Sequence, residues 1–197
     1  IDLIVESMIA ITAQYPDAIL IVLGRFYEKY RNKIEALVID SGLTSNVRLV
    51  YEVGQEQLPL YYNASDVVVS MASSEGFPNT LLEVMACEVP VVAGRIPQIE
   101  ELLVDSESAK LCVINVADIA TAVTDVLYDL DRYRAVVSRA KNIVQAQGDI
   151  MINGGKFSNI FREVIGDSGK KRLSLLNRLP FLLVYISHLV FNKYAYR

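Results

Sequence analysis

Four short runs rich in β-branched residues constrain this chain more than any other feature: Ala18–Leu23 (AILIVL), Val47–Val50 (VRLV), Asp66–Ser70 (DVVVS) and Pro90–Ala93 (PVVA). A weaker run covers Lys110–Ile114. Most are continuously apolar rather than alternating, the pattern of strands covered on both faces. Between them lie stretches whose apolar residues recur every three or four positions, the helical period. These stretches are Leu3–Tyr15, Tyr27–Ser41, Gln57–Asn63, Asn79–Cys87, Ile99–Val104, Val116–Leu130 and Arg132–Gln147.

Strand and helix alternate with no hairpin signal between strands, so the strands must be joined by parallel crossovers. The expected fold is a Rossmann-like, doubly wound parallel sheet flanked by helices, with its ligand at the carboxyl ends of the strands. The punctuation agrees. Gly42 is placed to close the helix ending at Ser41, and Pro59 falls in the first turn of its helix, where a missing N–H costs little.

With 197 residues, 52% hydrophobic and 21% charged, the chain can bury a sizeable core. A formal net charge of −4 offers no basic face for nucleic acid. The single histidine, His188, rules against a histidine-built zinc site, and no metal is expected. Cys87 and Cys112 lack metal-like spacing and read as buried thiols of a cytoplasmic protein. The chain opens at Ile1 directly into an amphipathic pattern, so a further N-terminal domain is expected as a partner.

Residues 1–165 are expected to form the α/β domain and residues 166–197 a tail helix. Met151–Gly155 reads as a loop and Phe157–Ile165 as a short helix. In the tail, Phe181–Phe191 is almost wholly apolar, with Lys171, Arg172 and Arg178 before it and Lys193 and Arg197 after. A bilayer crossing needs about 20 residues, so this run is too short to span one. Two roles suit it: docking on a further domain, or peripheral contact with the inner, anionic face of a membrane.

The chemistry concentrates in Ser73–Ala93, SSEGFPNTLLEVMACEVPVVA. A loop follows the strand DVVVS and leads into a helix near Asn79 and Thr80, two residue types that satisfy free N–H groups at a helix start. The amino end of such a helix, with its positive dipole end, is a ready site for a diphosphate. Gly76 lets a ligand approach the backbone closely. Glu75 precedes the helix and Glu83 lies about one turn inside it. Carboxylates are poor partners for phosphate but accept paired hydroxyls well, so the two acids suit a sugar and a ribose on either side of a diphosphate.

EGFPNTLLEVMACEVPVVA resembles the donor-binding signature of glycosyltransferase family 4, a retaining group of GT-B fold. Its two glutamates have seven residues between them, here Glu75 and Glu83 with Gly76, Phe77, Pro78, Val84, Met85 and Ala86 in register. The likeness runs from about Asp2 to Ile165. It implies the C-terminal, donor-binding half of an enzyme that moves a hexose or N-acetylhexosamine from a UDP-, GDP- or ADP-sugar to a sugar or lipid-linked acceptor, in polysaccharide or glycolipid synthesis. By position Glu75 is the catalytic residue, touching donor-sugar hydroxyls near the reacting carbon. Glu83 would hold the ribose; Phe77, Pro78, Asn79 and Thr80 would face the phosphates; Gly24 would lie beside the nucleotide. Neither a metal nor a separate cofactor is implied.

Glycines of the family pattern are replaced in three loops. The turn after the first strand reads Gly24-Arg25-Phe26, the loop after PVVA carries Pro97 and Gln98 with Glu101 matching the following acid, and an Asp-Gly-x-x-Gly loop reads Asp105-Ser106-Glu107-Ser108-Ala109. An inactive GT-B homologue serving as a binding module is the alternative these losses suggest.

Overall fold

The computed structural model describes residues 1–166 and divides the chain into two compact units, residues 1–148 and 149–197. The segment expected to form a tail helix, beyond residue 166, lies outside the described residues.

The first unit alternates helix and strand as the pattern requires: α1 (Asp2–Gln14), β1 (Leu20–Leu23), α2 (Glu28–Asp40), β2 (Val47–Val50), a 3-10 turn (Gln55–Gln57), α3 (Leu58–Asn63), β3 (Val68–Ser70), α4 (Asn79–Ala86), β4 (Val91–Gly94), α5 (Pro97–Glu100), β5 (Lys110–Cys112), α6 (Val116–Tyr128) and α7 (Leu130–Gly148). All strand pairs are parallel. β1 pairs with β2 in one ladder, Leu20 opposite Val47, and β3, β4 and β5 form a second in that order, Val68 opposite Val91 and Val92 opposite Lys110.

Helices lie on both faces of the second ladder, because successive strand side chains point to opposite sides. On one side Val92 and Cys112 join Val5, Met8 and Ile11 of α1, Val22, Val47, Ile34 and Val38, and Ile119, Val123 and Val126 of α6. On the other, Val91, Ala93 and Leu111 meet Tyr62 of α3, Leu81, Val84 and Met85 of α4, Ile99 of α5 and Val137 and Ala140 of α7. The first ladder departs from expectation. Ile19 and Ile21, read as part of a buried run, are 59% and 43% exposed. Their face of β1 is opposite to the one that packs Leu20 and Val22 into the core with α1.

Gly42 closes α2 at φ +69: its N–H donates to the Ile39 carbonyl and the Leu43 N–H to Val38. The same 6→1 and 5→2 bonds end α4, from Val89 N–H to the Val84 carbonyl and from Glu88 N–H to Met85. There Glu88 takes the left-handed position, at φ +57, and pairs with Lys141 of α7 at 2.6 Å.

In the second unit, residues 150–166 form one helix, α8 (Ile150–Gly166), rather than a loop followed by a short helix. The Asp149 carboxylate explains it, accepting from the Met151 and Ile152 N–H groups at 2.8 and 3.0 Å. This cap starts the helix early and offsets the weak helical preference of Gly154 and Gly155.

Candidate donor-binding site

The loop that follows β3 runs from Met71 to Pro78 and delivers the chain into α4. It passes the carboxyl end of β4: a methyl added at the buried Gly94 would lie 3.6 Å from the Ala72 carbonyl oxygen and 2.7 Å from Ile114. The loops after β3, β4 and β5 therefore meet at one edge of the sheet, where a doubly wound fold holds its ligand.

The helix α4 is anchored by its inner face. Leu81, Leu82, Val84 and Met85 are buried, while Asn79 and Thr80 at its first turn are exposed. Pro78 occupies the cap position and no side chain caps the helix. This corrects the expectation that Asn79 and Thr80 serve as caps; they stand at the first two helical positions, one step too late. Pro78 is itself buried and has no N–H to offer a phosphate. Its carbonyl takes the Leu81 and Leu82 N–H groups at 3.0 and 3.2 Å, and Asn79 N–H turns back to the Phe77 carbonyl at 2.8 Å. Among the described residues, the Phe77 and Thr80 N–H groups are left unengaged by the protein, together with the exposed Thr80 hydroxyl and Asn79 amide. The end of α4 is therefore uncapped by any side chain and carries the positive end of the helix dipole.

Glu75 is half-buried in the loop, and its Oε1 accepts from the Gly76 N–H at 3.2 Å. A side chain at Gly76 would meet nothing within 4 Å, so the backbone there is open to a ligand. Glu83 is half-buried one turn into α4 and its Oε2 accepts from the Tyr62 hydroxyl at 3.1 Å. Tyr62, in α3, is not among the site residues expected from the sequence. It is 6% exposed, and its hydroxyl orients Glu83, a role that periodicity could not reveal. Burial first, then the bond to Glu83, pushes the Tyr62 hydroxyl up to about 12. The unfolded phenol thus loses its proton first, so the stabilisation is complete below pH 10 and is lost as pH rises through about 12. Tyr62→Phe should cost about 1 kcal/mol in denaturant unfolding at pH 8, and should remove part of the loss of stability between pH 10 and 12.

Gly24 ends β1 at φ +154, a conformation costly for other residues. Its N–H donates to the Val50 carbonyl at 3.3 Å, and a methyl added there would meet the Phe26 ring at 3.4 Å. Arg25 is exposed, as is Glu101. A cation that the sequence did not single out stands at the end of β4. Arg95 donates to Glu100 and to Asp105, each at 3.0 Å, and ties α5 to the Asp105–Ala109 loop.

That loop keeps the shape its missing glycine would favour. Ser106 sits at φ +62 and its N–H donates to the Ala109 carbonyl at 2.7 Å. Asp105 Oδ1 accepts the Leu111 N–H at 2.9 Å, and the buried Ser108 hydroxyl accepts the Val104 N–H at 2.8 Å. An L-residue in this conformation costs about 1–2 kcal/mol. Ser106→Gly should therefore raise stability by about 1 kcal/mol, read as a higher denaturant midpoint with an unchanged slope.

The sequence profile described as "Glycosyl transferases group 1" matches residues 1–143. The chain belongs to the group 1 glycosyltransferases. It is similar to the lipopolysaccharide core biosynthesis mannosyltransferase LpsB of Rhizobium meliloti, 32% identical over 156 residues that cover 77% of this chain and 44% of that one. This group 1 chain thus spans less than half the length of that relative. Its fold is similar to sucrose-phosphate synthase from Thermosynechococcus elongatus, with a TM-score of 0.75 at 25% identity, covering 83% of this chain and 42% of the other. It is also similar to Anabaena HepE solved with UDP and glucose, with a TM-score of 0.70 at 19% identity, covering 79% and 44%. The Rossmann-like layers described above are those of a GT-B glycosyltransferase half.

Proposed function

We propose that this chain holds the nucleoside diphosphate sugar of a retaining, family 4 type glycosyltransferase that builds a polysaccharide or glycolipid. The observation that carries the reading is the uncapped amino end of α4, with Glu75 in the loop before it and Glu83 one turn inside it. In this reading the diphosphate lies against the Phe77 and Thr80 N–H groups, which stabilise the charge that builds as the sugar leaves. Glu75 takes sugar hydroxyls beside the anomeric carbon. Glu83, steadied by Tyr62, takes the ribose diol with its remaining oxygen. The fold shared with HepE, solved with UDP and glucose, supports a nucleotide-sugar donor. The likeness to a lipopolysaccharide core mannosyltransferase supports a hexose and a lipid-linked or sugar acceptor. Two free thiols suit a reducing, cytoplasmic setting.

Helix-end donors replace a metal in this scheme, so excess EDTA should leave transfer unchanged. Calorimetry of the chain with UDP, GDP and ADP should show that one of them binds. A folded sample that binds none of the three argues instead for a homologue that keeps the fold as a binding module. The lost glycines motivate that alternative, but Ser106 holding the left-handed turn favours a loop kept in working shape.

A further inference from the structure

The strands of the first unit form two separate ladders, yet one core lies against both. Val22 and Val47 of the β1–β2 ladder and Val92 and Cys112 of the β3–β4–β5 ladder share it with Val5, Met8 and Ile11 of α1. Within these ladders β1 pairs only with β2, and β3 only with β4. The burial of β3 shows the consequence. Val69 packs on the shared core and Val68 on the opposite one, so both faces of β3 are covered. Even so, Val68–Ser70 is only half-buried, whereas every residue of β4, with a strand on each side, is buried. What β3 leaves open is its hydrogen-bonding edge.

The alternation of a parallel ladder identifies the groups left over. Leu20 N–H donates to the Asn46 carbonyl and Gly24 N–H to Val50, so β1 turns Leu20, Val22 and Gly24 toward β2 and turns Ile21 and Leu23 away. Val68 N–H donates to the Pro90 carbonyl, so Val69 turns away from β4. Among the described residues, the backbone groups of Ile21, Leu23 and Val69 therefore lie on two open edges. In a doubly wound sheet the first strand lies between the second and the fourth. The order β2-β1 followed by β3-β4-β5 fills every place of such a sheet but that one.

We propose that an extended apolar strand of the same polypeptide, running into Ile1, inserts between β1 and β3 and pairs with both in parallel. The amino end of α1 is placed to receive it. Asp2 accepts from the Tyr30 hydroxyl at 2.6 Å and pairs with Lys33, both in the first two turns of α2, and α2 follows the carboxyl end of β1. Ile1 thus stands at the carboxyl edge of the sheet, where a parallel strand in this slot must end. From there α1 is the crossover to β1 that a right-handed β-α-β unit requires. A strand lent by a second copy of the chain would have to leave a ladder of its own, whereas this one displaces no existing pair. Covered on both faces, it should read as about five or six continuous apolar residues.

The test is amide hydrogen exchange, followed without nucleotide on the 197-residue chain and on the full-length enzyme. In the 197-residue chain, Ile21, Leu23 and Val69 should exchange at least about 100-fold faster than Val22 and Val92, whose N–H groups lie within ladders. In the full-length enzyme the three should slow by about 100-fold and match those two. The proposal is overturned if the three amides are already protected in the 197-residue chain, or if they exchange equally fast in both proteins. Protection that rises with protein concentration would also overturn it, giving the slot to a second copy.

Discussion

Glu75→Gln in the full-length enzyme is expected to lower kcat for sugar transfer by about 100- to 1,000-fold, roughly 3–4 kcal/mol of transition-state stabilisation. The reasoning is geometric. Glu75 sits in the short loop between β3 and the buried face of α4, three residues before the Pro78 cap, so the chain delivers its carboxyl to the approach to the helix end. Glutamine keeps the size and one acceptor but loses the charge and the second acceptor, the two properties that can respond to a sugar carbon becoming positive. The loss should appear in kcat more than in KM, because the affected interaction strengthens as the bond to the diphosphate breaks. Stability should stay within about 0.5 kcal/mol, since the side chain makes only the 3.2 Å contact with its neighbour's N–H. Undiminished transfer by the variant would remove Glu75 from the mechanism.

Leu81→Ala should be the most destabilising change near the site. Leu81 is 1% exposed and packs in the cluster formed by α3, α4, α7 and the second face of β3–β5. Truncating such a side chain costs about 2–5 kcal/mol, the lost burial plus the cavity left behind. At about 2–4 °C per kcal/mol for a chain of this size, the melting temperature should fall by roughly 5–15 °C in scanning calorimetry. Because Leu81 lies in the first turn of α4, nucleotide binding should weaken as well, even at temperatures where the variant is folded. Thr80→Ala, one residue earlier and exposed, serves as the control: it should leave the melting temperature within about 2 °C while still weakening binding.

These two neighbours show what the sequence could and could not convey. The strand runs were legible because burial on both faces imposes continuous apolar residues, and the observed strands lie within or one residue beyond the expected ones, Val47–Val50 matching at both ends. Ile19 and Ile21 misled for the same reason: the run looks identical whether or not a second helical layer covers it. The position of Glu83 on α4 followed from spacing, yet its partner Tyr62 did not, since a contact across 21 residues depends on how α3 packs on α4. Asn79 and Thr80 matched the preferences of a helix start but not its register, and one residue of shift turned expected caps into free polar groups. Asp149 was overlooked as a cap because two glycines downstream suggested a loop. Ser106 and Glu88 are invisible to residue-type rules altogether; each takes a glycine's left-handed conformation, at φ +62 and +57, because the surrounding hydrogen bonds fix the turn.

Backbone amide shifts of the 197-residue chain, followed by NMR through a titration with the nucleoside diphosphate that binds it, test the central claim most directly. A diphosphate on the amino end of α4 predicts the largest changes at Phe77, Asn79, Thr80 and Leu81, with Glu75 and Glu83 next. A saturating nucleotide that leaves those amides unmoved, or that moves instead the residues around Arg95, Lys110 and Asp118, would contradict it.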